Sequence, residues 1–233
     1  MVTLGVWVKN FRPIKACTPR KDDRMKAVIF DMDGVIMDSE PLYHEHRLAY
    51  AKSKNYPADK WTINTFAGLS YADILEDMRQ QMAPDMDFPS FKADFENFDQ
   101  DQFLNYEEAL TPGLKPLLKT LQEKNIPACI ASAGSQASIE KMLTATDLKD
   151  AFAGWFSGED VAHNKPAPDV YLKALAHVNV KDCEAIIIED SELGISAAKK
   201  TGALVLALKS PYGYDQSQAD HIIDKLTAAT AYL

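Results

Sequence analysis

The chain has 233 residues, of which 46% are hydrophobic and 25% are charged, a composition typical of soluble globular proteins. Its formal net charge of −9 argues against a nucleic-acid or anionic-membrane surface, because both require clustered cations. No apolar run is long enough to span a bilayer, so we expect neither a membrane nor a nucleic-acid partner. The scattered cysteines form no CxxC motif and favour a reducing compartment, so we expect a cytoplasmic protein.

Residues 1–24 combine the apolar run LGVWV with several Lys and Arg residues. The run is too short for the apolar region of a secretory signal. The stretch MKAVIFDMDG would itself make a natural beginning at Met25. We therefore expect residues 1–24 to be a dispensable N-terminal extension.

Short apolar runs, separated by helical patterns, recur through the rest of the chain. The clearest of them are continuous rather than alternating, as expected of strands covered on both faces. Strands that alternate with helices predict an α/β fold with a doubly wound, mostly parallel sheet. The predicted strands are Ala27–Phe30, Ala128–Ala131, Trp155–Phe156, Ala185–Ile188 and Leu204–Leu208.

Residues 41–110 interrupt this alternation of strands and helices. They contain no convincing strand and have the pattern of several helices, punctuated by Pro57, Pro84 and Pro89. We expect them to form an α-helical cap domain inserted into the core. The core then comprises residues 25–40 and 111–233.

Polar residues stand where the predicted strands end. They are Asp31 and Asp33 after the first strand, Ser132 after the second, and Glu189 and Asp190 after the fourth. Because the carboxyl ends of parallel strands form one rim of the sheet, we expect these side chains to converge there. Asp31 and Asp33 point the same way from an extended chain and disfavour each other's ionisation. So many carboxylates at one rim indicate a divalent cation, and all-oxygen ligands suit Mg²⁺ best.

Four segments of the chain match motifs of a known family, in family order. They are DMDGVIMDSE, IASAGSQ, NKPAPDVYLKAL and IIIEDSELGISAAKKTG. The chain resembles the haloacid dehalogenase-like (HAD) hydrolase superfamily, in the branch of phosphatases and phosphohexomutases that carry a helical cap. The resemblance extends from Met25 to about Leu208. It implies a Rossmann-like core, a Mg²⁺ cofactor, and a small phosphorylated metabolite, such as a sugar phosphate, as the substrate.

The resemblance also implies roles for individual residues. Asp31 would be the nucleophile that becomes an aspartyl-phosphate, and Asp33 the general acid and then the general base. Ser132 and Ala133 would bind the phosphoryl group, while Lys165 would neutralise charge on it and on the nucleophile. The metal ligands would be Asp31, the backbone carbonyl of Asp33, Glu189 and Asp190. Taken singly, these residues also fit turn, helix-cap and loop positions, and only the four motifs together favour the catalytic interpretation.

The sequence fits two reaction classes, that of a phosphatase and that of a phosphohexomutase. Relatives that displace halide need no acid at the position of Asp33, and those that cleave carbon–phosphorus bonds lack this aspartate, so its presence favours phosphate esters here. Hexomutase relatives carry Lys and Arg in a cap loop that corresponds to FAGLSYADIL, where this chain has Ala67 and Tyr71. We therefore favour a phosphatase, with a β-phosphoglucomutase-like enzyme as the alternative. A non-catalytic phosphate sensor and an interaction module are further alternatives.

The cap is expected to supply contacts with the leaving group, although ordinary cap packing explains the same residues. They are Glu40, Tyr43, His44, Gly68, Ser70 and Tyr71. A monomer is expected by resemblance, with a weak homodimer as the alternative.

Overall fold

The computed structural model describes residues 25–66, 69–98 and 105–233. The expectations for residues 1–24 and for Gly68 concern residues outside these ranges. Among the described residues, no helix is long and apolar enough to cross a membrane.

The core is built on one six-stranded parallel sheet. Its strands in chain order are β1 (Ala27–Phe30), β2 (Ala128–Ser132), β3 (Gly154–Ser157), β4 (Ala185–Glu189), β5 (Leu204–Leu208) and β6 (His221–Ile223). The order across the sheet is β3-β2-β1-β4-β5-β6. The chain therefore winds from β1 to one edge and returns beside β1 with β4, which confirms the expected doubly wound α/β fold.

The sheet is covered on both faces, as the continuous apolar runs predict. Val28 and Phe30 pack into one hydrophobic cluster, and Ala27 and Ile29 into a second cluster on the opposite face. This alternation follows from the two-residue period of a strand. The edge strand β6 was not predicted from the sequence, because it has three residues and two of them are exposed.

The described helices are α1 (Glu40–Ser53), α2 (Tyr71–Met82), α3 (Phe88–Glu96), α4 (Tyr106–Ala109), α5 (Leu114–Glu123), α6 (Gln136–Ala145), α7 (Asp169–Val178) and α8 (Glu192–Lys199). Several begin at a side chain that accepts a backbone N–H, which satisfies a donor left free at a helix start. Ser135 does so for α6 and Ser191 for α8. These two caps stand at the same rim of the sheet, directly after β2 and β4.

Helices α1 to α3 have a hydrophobic cluster of their own, which includes Tyr50, Trp61, Phe66, Met78 and Phe91. The two chain segments that lead into and out of this region pair with each other. Asp38 N–H donates to the carbonyl of Ala109 at 2.8 Å, and Thr111 N–H donates to that of Ile36 at 2.9 Å. This region thus has a hydrophobic cluster of its own, and its two connecting segments are paired. The division into a core and a cap of residues 41–110 stays a prediction, and α1 already begins at Glu40.

Candidate active site

Three carboxylates meet at the carboxyl ends of β1 and β4, which are neighbours in the sheet. Asp31 follows β1 directly, Glu189 is the last residue of β4, and Asp190 comes next. One carboxylate oxygen from each residue lies within 4.8 Å of the others, and all three residues are buried. Three of the five side chains expected at this rim therefore lie close together in the fold.

Lys165 places a buried cation between two of these carboxylates. Its Nζ lies 2.5 Å from Asp31 Oδ1 and 2.9 Å from Glu189 Oε1, with only 6% of its side chain exposed. Burial by itself lowers the pKa of Lys165, but the charges of Asp31 and Glu189 raise it, and the net pKa lies above its usual value. Lys165 is thus a fixed positive charge beside Asp31.

The loop that carries Lys165 is tied to the segment that follows β2. Asn164 Nδ2 donates to the Ala133 carbonyl at 2.9 Å, and its Oδ1 accepts the Lys165 N–H at 2.8 Å. Tyr171 supports the same lysine from α7, since the Lys165 ammonium lies 4.7 Å from the centre of its ring. The Tyr171 hydroxyl also donates to Glu189 Oε1 at 2.9 Å. Asn164 and Tyr171 both lie in the motif NKPAPDVYLKAL, but the sequence analysis gave neither of them a role at the site.

Both carboxylate oxygens of Glu189 are already engaged by donors. Oε1 accepts from Lys165 and Tyr171, while Oε2 accepts from the N–H groups of Asp190 and Ser191 at 2.7 and 2.8 Å and from the Ser191 hydroxyl. Burial raises the pKa of Glu189, but the Lys165 charge and these hydrogen bonds outweigh it, and the pKa lies below its usual value. Glu189 therefore remains ionised and anchors both Lys165 and the turn into α8.

Asp190 has a different environment. It is 5% exposed, and within the described part of the chain no donor reaches its carboxylate. Burial, together with the charges of Glu189 and Asp31, raises its pKa well above the usual value. The carboxylate lies against Gly34, whose φ of +86° and missing side chain make room for it. A side chain at position 34 would collide with this carboxylate, which accounts for the glycine of DMDG in this chain.

The donor set fits a hard divalent cation. Asp31 and Asp190 present buried carboxylate oxygens, and the Lys165 charge only partly offsets the burial and like charges that raise the pKa of Asp190. Glu189 lies in the same group, but its oxygens are taken by the donors described above. The geometry thus favours Asp31 and Asp190 as the direct carboxylate ligands.

Asp33 is partly buried and lies beside helix α1. Loss of hydration raises its pKa, although hydrogen bonds with Ser39 and Tyr43 oppose the shift. The Tyr43 hydroxyl donates to Asp33 Oδ1 at 3.2 Å. For Asp31, burial raises the pKa to about 7 while Lys165 opposes it. The two carboxyl groups thus have different partners, Tyr43 for Asp33 and Lys165 for Asp31, as expected if one acts as the acid and the other as the nucleophile.

Ser132 ends β2 on the same rim and is fully buried. Its Oγ accepts the Gly134 N–H at 2.9 Å, so the hydroxyl proton points elsewhere and is available to a ligand. The N-terminus of α6 begins just beyond, at Ser135, and favours negative charge near it. Ser132 and Ala133 therefore lie where an anionic group at the rim is favoured.

The sequence profile of the family described as haloacid dehalogenase-like hydrolases matches residues 28–208. The chain belongs to this family. It is 31% identical over 184 residues to the phosphorylated carbohydrates phosphatase of Thermotoga maritima, covering 76% of this chain and 82% of that protein. It is 30% identical over 220 residues to hexitol phosphatase B of Escherichia coli K12, covering 92% and 97%. A solved structure of a proposed β-phosphoglucomutase from Thermotoga maritima superposes with a TM-score of 0.74 at 27% identity, covering 90% of this chain and all of that one.

This haloacid dehalogenase-like hydrolase is therefore a member of the branch that contains sugar-phosphate phosphatases and phosphomutases. Of its expected cap contacts, the fold brings Glu40 and Tyr43 to the site. Ser70 instead caps α2 through the Asp73 N–H, and the Tyr71 hydroxyl donates to Glu96 at 3.3 Å. His44 lies on α1 next to Tyr43, and its Nδ1 is buried with no partner among the described residues.

Proposed function

We propose that this chain is a Mg²⁺-dependent phosphatase that hydrolyses a small phosphorylated metabolite of the sugar-phosphate class through an aspartyl-phosphate intermediate. One observation carries the proposal: Asp31 is held 2.5 Å from a buried lysine, inside a cluster of carboxylates, with Asp33 on the side of the cap. The phosphatase names of the two relatives favour the same reaction. A cytoplasmic, monomeric enzyme is part of the proposal.

The chain's own residues suffice for both proton transfers. In the first step a carboxylate oxygen of Asp31 attacks phosphorus, the bond to the leaving oxygen breaks, and Asp33 gives that oxygen its proton. In the second step Asp33 takes a proton from water, whose oxygen attacks the same phosphorus. The bond between phosphorus and Asp31 then breaks, which releases inorganic phosphate and regenerates Asp31.

The remaining residues stabilise charge and hold the phosphoryl group in place. Lys165 neutralises charge on Asp31 and on the phosphoryl oxygens, and Ser132 with the Ala133 backbone binds those oxygens. Asp31, Asp190 and the backbone carbonyl of Asp33 would hold Mg²⁺, with Glu189 fixing Lys165. When bound, Mg²⁺ supplies positive charge that balances the buried carboxylates and the phosphoryl group.

A phosphohexomutase is the second candidate, because a solved neighbour carries a β-phosphoglucomutase name. Such an enzyme must hold the second phosphate of a bisphosphate in its cap, which requires cations. The mutase pattern has a cationic side chain where this chain has Tyr71. The Tyr71 hydroxyl donates a hydrogen bond to Glu96. Hydrolysis is therefore the better-supported reaction.

The test of the proposed function is hydrolysis of p-nitrophenyl phosphate and a panel of sugar phosphates by the purified chain. We expect turnover with Mg²⁺, none with EDTA, and a loss of at least about a thousandfold in kcat for Asp31→Asn. Asp59→Asn, at an exposed cap position, serves as the matched control and should retain full activity. No metal-dependent turnover on any phosphate ester would contradict the proposal and favour a sensor or interaction module. Primer-dependent formation of glucose 6-phosphate from β-glucose 1-phosphate would replace it with the mutase.

A further inference from the structure

Helix α1 carries an arginine whose hydrogen-bonding capacity is only partly used. Arg47 is 5% exposed, and its Nε donates to the Tyr43 carbonyl at 3.0 Å. Its Nη2 donates to Glu40 Oε2 at 3.3 Å, and its guanidinium lies over the Phe66 ring at 5.3 Å. Nη1 is buried with no acceptor in the described part of the chain. Since buried donors are almost always partnered, this nitrogen calls for an acceptor other than the described residues, and a bound ligand can supply one.

The arginine is connected to the proposed acid through its neighbours Glu40 and Tyr43 on α1. Tyr43, which separates Glu40 from Arg47 along α1, donates to Asp33, the proposed acid. The acid must face the oxygen it protonates, so the leaving group extends from Asp33 toward this part of the cap. Glu40 joins the cluster to the core, because its Oε1 accepts from the Tyr214 hydroxyl at 3.3 Å. His44 adds a second buried nitrogen without a partner among the described residues, three positions before Arg47 on the same helix face.

The charges in this cluster disfavour a second phosphate. The single positive charge of Arg47 is already opposed by Glu40, and the carboxylates of Asp33 and Asp38 lie close enough to act on Glu40. A second phosphate would add negative charge to this acidic surrounding. A hydroxyl group suits it better, because one oxygen can accept from the guanidinium and donate to the carboxylate.

We infer that Glu40, Arg47 and Tyr214 form a subsite for the hydroxyl groups of an uncharged polyol leaving group, and that this subsite selects monophosphates over bisphosphates. The inference rests on the proposed phosphatase function and names the substrate class of that site. His44 lies at the border of the subsite, next to the residue that contacts the acid.

The experiment compares kcat/KM for three probes: sorbitol 6-phosphate, fructose 1,6-bisphosphate and p-nitrophenyl phosphate. The leaving group of the last probe has no further hydroxyl groups that the subsite could bind. We expect Arg47→Gln and Glu40→Gln each to lower the ratio of kcat/KM for the polyol phosphate to that for the aryl phosphate by about tenfold or more. Glu40→Gln should also raise kcat/KM for the bisphosphate relative to kcat/KM for the polyol monophosphate, because the substitution removes a negative charge. Lys52→Gln, which removes an exposed charge from the same helix, is the control and should leave all ratios unchanged.

The outcomes separate this inference from the proposed function. Mg²⁺-dependent aryl phosphatase activity with ratios that stay within twofold in both variants would overturn the subsite and leave the phosphatase standing. Absence of aryl phosphatase activity in the wild-type chain would overturn both. If Arg47→Gln fails to fold, Glu40→Gln and Tyr214→Phe test the subsite instead. Tyr214→Phe removes only the hydroxyl group that donates to Glu40. A lowered polyol ratio in these two variants supports the subsite, and unchanged ratios reject it.

Discussion

Asp33→Asn is expected to lower the steady-state kcat by about 10³- to 10⁴-fold on a sugar phosphate, because this residue is proposed to act both as acid and as base. Its environment suits the first role. Loss of hydration raises the pKa of Asp33, so the carboxyl keeps its proton to a higher pH than an exposed aspartate would. An asparagine can neither donate that proton nor remove one from water.

The pH dependence follows from the direction of this shift. Since the protonated form is the one that reacts first, kcat/KM for a sugar phosphate should fall as the pH rises through the pKa of Asp33. An aryl phosphate has a leaving group that needs little protonation, so its kcat/KM should lack this limb. The measurement is a pair of pH–rate profiles on the two substrates. A loss below tenfold in Asp33→Asn, or the same alkaline limb for both substrates, would argue against the assignment.

Asp190→Asn is expected to remove the response of the protein to Mg²⁺. In the metal-free chain the pKa of Asp190 is raised, so the folded state binds more protons than the unfolded state once the pH exceeds the usual carboxyl range. Stability is therefore lost as the pH rises from there through the folded pKa. The neutral amide of Asp190→Asn cannot ionise, so it avoids this loss of folding stability. The metal-free variant should therefore be more stable than the metal-free wild type at pH 8.

Thermal unfolding in EDTA and in MgCl₂, at pH 6 and pH 8, measures both effects. At a hundredfold excess over its Kd, Mg²⁺ should stabilise the wild type by about 2.7 kcal/mol, a rise in Tm of roughly 5–10 °C. The rise should be larger at pH 8, because protons compete for the carboxylates at pH 6. Asp190→Asn should show little rise, while Asp59→Asn should behave as the wild type. A wild-type Mg²⁺ shift in Asp190→Asn would place the cation elsewhere.

The strands of the core could be predicted from the sequence because each of them is marked by a short local pattern of residues. Strands buried on both faces appear as continuous apolar runs, and the runs predicted for β1 and β5 have the bounds that the structure shows. The polar residues at the rim could be identified because each follows a strand end. The edge strand β6 carries no such signal, since two of its three residues are exposed.

The finer structure of the site depends on contacts between distant parts of the chain. Tyr214 and Glu40 are 174 residues apart, and Lys165 and Asp31 are 134 apart. Only the fold brings such pairs together, so no spacing in the sequence predicts that Tyr171 donates to Glu189. For the same reason the sequence could propose Glu189 as a metal ligand but not show that its oxygens are already occupied by donors. Its role as a ligand stays a prediction.

A rapid-mixing experiment on Asp33→Asn tests whether Asp31 is phosphorylated within this cluster. With an aryl phosphate and Mg²⁺, the first step needs no acid, whereas the second step lacks its base. We expect a burst of one equivalent of nitrophenol per chain, followed by slow turnover, and a mass increase of one phosphoryl group located on Asp31. A chain that shows neither burst nor mass increase, or that carries the phosphoryl group on another residue, would contradict this role of Asp31.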